Sequence, residues 1–143
     1  MIVRRIEIEN FRGIRKASID GFNQLTILIG KNGTGKSSIL EALYLVSSCA
    51  SIRDNVRGGV KLDYLISRRG ERGKWNNSRS VLWYQMDTSK HIIVRLYMDE
   101  KTLEFHIFDR PPLKKSSKRG LKKENWGIEG EQVSIKFKEV KPP

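Results

Sequence analysis

The residues with the clearest chemical capacity are the eight of GKNGTGKS, at positions 30–37. The three glycines of this stretch permit backbone turns that a Cβ would strain, so that successive N–H groups can point at one oxyanion. Lys36 adds a point charge suited to the β and γ phosphates of a nucleoside triphosphate, and the small hydroxyl of Ser37 can ligate a bridging Mg²⁺ ion. The stretch therefore predicts a cradle for a nucleoside triphosphate and its magnesium.

The segments on either side of the glycine loop fit this chemistry. LTILI at 25–29 is apolar without alternation, which predicts a strand covered on both faces, as at the centre of an α/β sheet. After the loop, Ile39, Leu43 and Val46 recur at helical spacing and predict a helix of about three turns. A buried strand before and a helix after are the context that the P-loop (Walker A) pattern requires. The predicted nucleotide-binding residues of the loop are Gly30, Lys31, Asn32, Gly33, Thr34, Gly35, Lys36, Ser37 and Ser38, with Ser37 also the predicted metal ligand.

The rest of the chain predicts a hairpin at the start and a β-rich second half. Residues 1–11 alternate, as in a half-buried strand, and residues 15–19 are its predicted return strand. KLDYLIS at 61–67 is compatible with a short helix or a strand. SVLWYQM, HIIVRLYM, TLEFHIF and VSIKFKEV predict an antiparallel meander, because β-branched or aromatic residues stand near alternate positions. The expected organisation is a single segment in three parts: 1–50 with strand, P-loop and helix, 51–79 as a mixed loop region, and 80–143 as an antiparallel β subdomain.

Length and hydropathy limit the class of protein. A chain of 143 residues can form one domain with a real core. Its longest apolar stretches are far too short to span a bilayer, and its first ten residues lack the apolar core of a signal peptide. Cys49 stands alone, so no internal disulfide is possible. These features predict a cytoplasmic protein with no membrane partner.

The net charge of +12 is concentrated in one stretch, residues 110–123. Such density attracts nucleic acid, because neutralising phosphates releases condensed counterions. A solvated loop has the same composition, so DNA contact through this basic loop and a merely solvated loop stay open as alternatives. The basic residues before the first acid of the stretch are Arg110, Lys114, Lys115, Lys118, Arg119, Lys122 and Lys123.

Two stretches carry a resemblance to a known family. IEIENFRGI at 6–14, followed by LTILIGKNGTGKSSILEAL at 25–43, resembles the N-terminal part of ABC-type ATPase heads of the SMC, RecF and OLD-like family. Members of that family act in DNA repair, chromosome maintenance and phage defence. The resemblance implies an α/β fold, a P-loop NTPase half-domain (lobe I of the head) with an antiparallel β meander, that binds ATP and Mg²⁺. It also implies that Arg12 lies near the nucleotide phosphates or ribose, with an arginine on the hairpin surface as the alternative.

Hydrolysis needs groups beyond this cradle, namely a carboxylate that holds magnesium through water and a group that orients the attacking water. In the family both come from an Asp-Glu pair at the end of a hydrophobic strand. LYMDE at 96–100 is the one candidate, but its acids are predicted to form a hairpin turn, and Arg95 would lie in a strand that should be buried and parallel. The catalytic residues therefore stay unknown.

The resemblance implies that hydrolysis depends on a missing C-terminal head segment or a complementary chain, and on an ATP-dependent homodimer. The alternative is a module that binds nucleotide or nucleic acid without hydrolysing it. The two hypotheses differ in whether a complementary head segment stimulates turnover.

Overall fold

One antiparallel sheet forms the main element of the structure, a computed structural model that describes residues 2–48, 51, 53–68, 78–109, 125–127 and 133–140, the last two ranges by their backbone alone. Its strands are β1 Val3–Phe11, β2 Ile14–Asp20, β3 Ile92–Met98, β4 Thr102–Asp109, β5 Asn125–Gly127 and β6 Val133–Val140. They are arranged in the order β2-β1-β3-β4-β6-β5, and every neighbouring pair is antiparallel. The predicted N-terminal hairpin and three of the four predicted meander strands are thereby confirmed.

Two helices and two short 3₁₀ segments pack on the apolar face of this sheet. The helices are α1 Lys36–Ser47 and α2 Lys61–Ser67, and the 3₁₀ segments are Arg79–Leu82 and Tyr84–Met86. Alternation along the strands turns Ile6, Ile8, Val94 and Phe105 toward the helices, where they join Leu45 and Leu65 in one buried cluster. In the part of the chain that the structure describes, neither helix has the length and apolar character of a membrane-spanning segment.

The opposite face of the sheet carries charged side chains in register. Arg95 on β3 stands across from Glu7 on β1 and from Glu104 on β4. Its guanidinium donates to Glu104 at 2.8 Å and lies 3.4 Å from the Glu7 carboxylate. Arg95 is thus at home in an antiparallel strand that is open on one side. The turn predicted at its end is confirmed, because the Met98 amide donates to the Lys101 carbonyl at 2.9 Å.

The prediction of a buried central strand at 25–29 is wrong. No strand is assigned there, and Leu25, Ile27 and Ile29 are 80%, 72% and 90% exposed. A strand of this kind needs partners for its backbone groups and cover for both faces. Within the described residues the sheet is formed by other segments, and none of its strands runs beside 25–29. The apolar composition of the segment is therefore not used for burial here.

The prediction of a strand for SVLWYQM is also wrong. The segment forms the two 3₁₀ turns, and Gln85 and Met86 adopt positive φ values of 52° and 57°, which interrupt an extended backbone. Trp83 between the turns is almost fully buried, forms an isolated bridge with Phe11, and donates its indole N–H to the Lys90 carbonyl at 2.7 Å. The packing of one large aromatic side chain outweighs the alternating pattern.

Replacing Ile8 or Ile27 by alanine should separate the core of the sheet from the exposed segment. Ile8 is fully buried, so we expect Ile8→Ala to lower the free energy of unfolding by about 2–5 kcal/mol. Ile27→Ala removes the same atoms at an exposed position and should cost less than about 1 kcal/mol. Urea unfolding of both variants measures the difference. Equal losses would mean that segment 25–29 is buried in solution.

Candidate nucleotide-binding site

The glycine loop joins the exposed segment 25–29 to the first turn of α1. Gly33 has a φ of 80°, and Gly35 precedes the helix in the left-handed conformation, with φ 95° and ψ 3°. Glycine adopts these values without the strain that a side chain would bring. The helix then begins at once, since the Ile39 amide donates to the Gly35 carbonyl at 3.0 Å. The backbone turns predicted for these two glycines are present.

Lys36 folds back over the loop. Its ammonium group donates to the carbonyl of Lys31 at 2.8 Å and to the carbonyl of Gly30. Thr34 closes the same turn, because its hydroxyl donates to the Lys31 carbonyl at 2.7 Å. A Cβ at Gly30 would lie 2.9 Å from that hydroxyl oxygen, so the turn leaves little room for a side chain there. The loop thus holds the Lys36 charge beside its own backbone.

The start of α1 is open to an anion. Among the residues that the structure describes, no side chain caps this end, and no acidic residue stands in the first turn. The first N–H groups of a helix have no partners within it, and they carry the positive end of its dipole. Ser37 is exposed at this end, whereas Ser38 is buried. An exposed hydroxyl next to the loop lysine fits a Mg²⁺ ligand, so Ser37 fits that role better than Ser38.

Arg12 is buried between the hairpin and α1. Its side chain is 4% exposed, and its Nε donates to Glu41 Oε2 at 2.9 Å. The other guanidinium nitrogens donate to the carbonyl of Val81 at 3.2 Å and to the carbonyl of Leu65. The alternative of an arginine on the hairpin surface is therefore wrong. A contact between Arg12 and nucleotide stays a prediction, which this geometry does not favour because the guanidinium already donates to three acceptors within the fold.

Glu41 is the residue of the site that sequence reasoning missed. It lies on α1 with a side chain that is 5% exposed, and its second carboxylate oxygen accepts a bond from Arg68 at 3.2 Å. The buried face of α1 is therefore Ala42, Leu45 and Val46 with two polar residues, rather than the predicted stripe through Ile39 and Leu43, which are only partly buried. The available signal was an acid four positions before Leu45, on the apolar side of the helix.

The far end of α1 is tied to the loop that follows it. The Tyr44 hydroxyl donates to Asp54 Oδ2 at 2.6 Å, and Asp54 Oδ1 accepts the amides of Val56 and Arg57. The Tyr44 hydrogen bond and these two amides lower the pKa of Asp54 from 3.8 to about 2. Burial, together with the bond to Asp54, raises the pKa of Tyr44 to about 12. Both ends of α1 thus have side-chain anchors.

The rejected candidate for hydrolysis lies away from such an arrangement. Asp99 is in the β3–β4 turn, half exposed, and accepts a bond from Arg4 Nε at 2.6 Å. This bond holds the pKa of Asp99 below its usual value. The basic loop 110–123, Trp75 and the side chain of Trp126 lie outside the described residues. The described part of the site is therefore a phosphate cradle with its supports.

Comparisons with known proteins agree with this geometry. The family model described as AAA ATPase domain matches residues 1–141. The chain is 30% identical over 115 residues to an ATP/GTP phosphatase of Helicobacter pylori, a match that covers 74% of this chain and 28% of that protein. No solved structure matches the chain.

Curated DNA replication and repair proteins RecF match a shorter part. Those of Francisella tularensis subspecies mediasiatica and novicida are each 40% identical over 55 residues, covering 38% of this chain and 16% of the relative. The chain therefore spans less than a third of the length of the curated relatives it matches.

Removing the Tyr44 hydroxyl should destabilise the protein in a pH-dependent way. The folded pKa of Asp54 lies below its ordinary 3.8, so its hydrogen bonds contribute full stability above that pH, and the contribution is lost as the pH falls toward about 2. We expect Tyr44→Phe to lower the thermal midpoint at pH 7 and to approach the wild-type midpoint below pH 4. Thermal unfolding followed by circular dichroism at several pH values measures this. A difference that does not change with pH would contradict the assignment.

Proposed function

We propose, since this chain belongs to the AAA ATPase domain family, that it is the ATP-binding N-terminal segment of an SMC, RecF or OLD-like ATPase head, lobe I of an ABC-type ATPase. The observation that carries the proposal is the glycine loop, which brings Lys36 over its own backbone at the uncapped start of α1. That arrangement offers an anion backbone donors, a lysine charge and a helix N-terminus together.

Each residue of the loop then has a role in binding. The backbone of residues 30–35 supplies N–H donors to the β and γ phosphates. Lys36 exchanges its bonds to the Gly30 and Lys31 carbonyls for bonds to phosphate oxygens, which costs little because the ammonium group is already beside them. Ser37 would hold Mg²⁺, which when bound neutralises phosphate charge during transfer of the terminal phosphoryl group.

Hydrolysis in this proposal depends on a complementary head segment, from the same or another chain. The described residues offer no carboxylate beside the loop that could hold magnesium through water, since Asp99 is engaged in a turn with Arg4. The curated relatives are several times longer than the matched region, which leaves room for such a segment in proteins of this kind. Closure would bring two heads together around ATP as a homodimer.

The exposed segment 25–29 is the proposed docking place for that complementary segment. It is apolar, it leads directly into the glycine loop, and Leu40 of α1 adds a further exposed apolar side chain beside the loop. A strand added here would satisfy the backbone groups of 25–29 and cover their side chains. A partner that fits this proposal must protect the amides of 25–29 from hydrogen exchange. Restored turnover without that protection would refute the strand pairing.

Binding and turnover of Mg-ATP by the chain test the proposed function. We expect measurable affinity with negligible turnover, and a loss of about 10-fold or more in affinity for Lys36→Ala, because a charge-assisted contact to phosphate is removed. Lys16→Ala is the matched control, since Lys16 is an exposed lysine on β2 whose nearest acid is 3.9 Å away. Titration calorimetry gives the affinities, and thermal unfolding shows that both variants fold.

Three outcomes of that experiment are informative. Unchanged affinity in folded Lys36→Ala would refute nucleotide binding by this loop. Lysine-dependent turnover by the chain alone would show that it contains its own hydrolytic carboxylate. Turnover that stays negligible with a complementary head segment present would favour a module that binds nucleotide without hydrolysing it.

We also propose that the basic loop 110–123 contacts DNA, in a role in DNA repair, chromosome maintenance or phage defence. Its support is the local charge in the sequence and the printed function of the RecF relatives. Each phosphate contact that is lost should reduce the slope of log Kd against log salt by about 0.7–0.9. We expect Lys114→Gln with Lys115→Gln to weaken oligonucleotide binding and to lower that slope. Lys16→Gln with Lys90→Gln is the control pair, and equal effects of the two pairs would refute a localised contact.

A further inference from the structure

We propose that Glu41 is a positioning residue for the glycine loop, holding α1 in the rotation that aims the first turn of the helix at the phosphates. The inference rests on the proposed nucleotide binding. Glu41 contacts neither the loop nor, in the proposed complex, the nucleotide. It acts through Arg12, whose Nε donates to it at 2.9 Å.

The geometry of α1 connects Glu41 to the loop. Residues three and four apart share one side of a helix, so Glu41 lies on the same side as Ser37 and Ser38 of the first turn. A helix that is held at Glu41 is therefore held in the rotation that points the Ser37 hydroxyl to one side. Rotation about the helix axis would move this hydroxyl and the first N–H groups together.

The Arg12 side of the contact is itself fixed from several directions. Its guanidinium donates to the carbonyls of Val81 and Leu65, and its backbone amide donates to the Leu82 carbonyl at 2.8 Å. The adjoining part of the hairpin also lies against the loop, because a Cβ at Gly35 would be 4.0 Å from Cγ1 of Ile14. Arg12 thus presents Glu41 with a donor that cannot follow the helix if the helix turns.

Arg68 provides an internal comparison on the same carboxylate. It donates to the other oxygen of Glu41 at 3.2 Å, but its side chain is 48% exposed and it also donates to the Tyr64 hydroxyl. An exposed ion pair is weakened by solvent screening and constrains orientation less than a buried one. The positioning effect should therefore come mainly from Arg12.

Glu41→Gln tests the proposal, because it keeps the size of the side chain and removes the charge. We expect Mg-ATP affinity to fall by about 10-fold or more, since a small misplacement of a binding group is enough for such a loss. Arg12→Gln and the double variant should show a similar loss, because the two residues act as one unit. Arg68→Gln should change the affinity by less than about 3-fold.

A purely structural role would give a different result. Ile8→Ala in the sheet core lowers stability without touching α1, and it serves as the control for general destabilisation. If Glu41→Gln affects the affinity of the folded protein no more than Ile8→Ala does, the proposal is overturned. Additive losses for Arg12→Gln and Glu41→Gln would also overturn it.

Hydrogen exchange without nucleotide separates this proposal from the proposed function. We expect Glu41→Gln to speed exchange at the first-turn amides of α1 more than Ile8→Ala does, whether or not the wild type binds ATP. Unchanged protection of that turn would refute the positioning role by itself. Wild-type protein that shows the exchange effect but no Mg-ATP affinity would refute nucleotide binding and leave the constraint on α1 established.

Discussion

The buried contact between Arg12 and Glu41 is the constraint on which the placement of the glycine loop depends. The sheet and α1 are joined along the chain by an exposed segment and by the loop, and neither can fix the orientation of a helix. Taking two charges out of water costs several kcal/mol per ion, which is offset only when the geometry is good. Any other rotation of α1 would leave a buried charge without its partner, at a cost of about 3–5 kcal/mol. The pair therefore selects one orientation more than it adds net stability.

The backbone around Arg12 accepts strain in order to deliver that side chain. Asn10 and Arg12 have positive φ values of 56° and 53°, a conformation that costs a residue with a Cβ about 1–3 kcal/mol. Local contacts offset this cost. The Asn10 amide group donates to the His91 carbonyl at 2.9 Å, the Arg12 amide donates to Leu82, and Phe11 between them is fully buried against Trp83. The triplet Asn-Phe-Arg thus links the edge of the sheet, the 3₁₀ turns and the helix.

Local patterns predicted the elements whose partners are local. The hairpin at 3–20, the helix after the loop, and the strands beginning at 92, 102 and 133 follow from alternation or helical spacing alone. Where the outcome depends on a distant contact, the pattern failed. SVLWYQM alternates like a strand but is shaped by the burial of Trp83, and 25–29 has the composition of a central strand without a described neighbour to pair with. The glycine loop was evident from spacing, whereas Glu41 required knowing that Arg12 lies beside it.

The exposure of 25–29 and the form of the loop have a common physical cause. Because this segment enters the loop directly, its position sets where Gly30 and the carbonyl bonded to Lys36 begin. In the present arrangement α1 is anchored at Glu41 and at Tyr44, while the entry to the loop is held by the short contacts of Lys36 and Thr34. In the proposed assembly, a strand paired with 25–29 would fix the entry side as firmly as the ion pair fixes the exit side. Addition of the complementary segment and rigid presentation of the cradle would then be one event, which would link phosphate geometry to the arrival of the groups that hydrolysis needs.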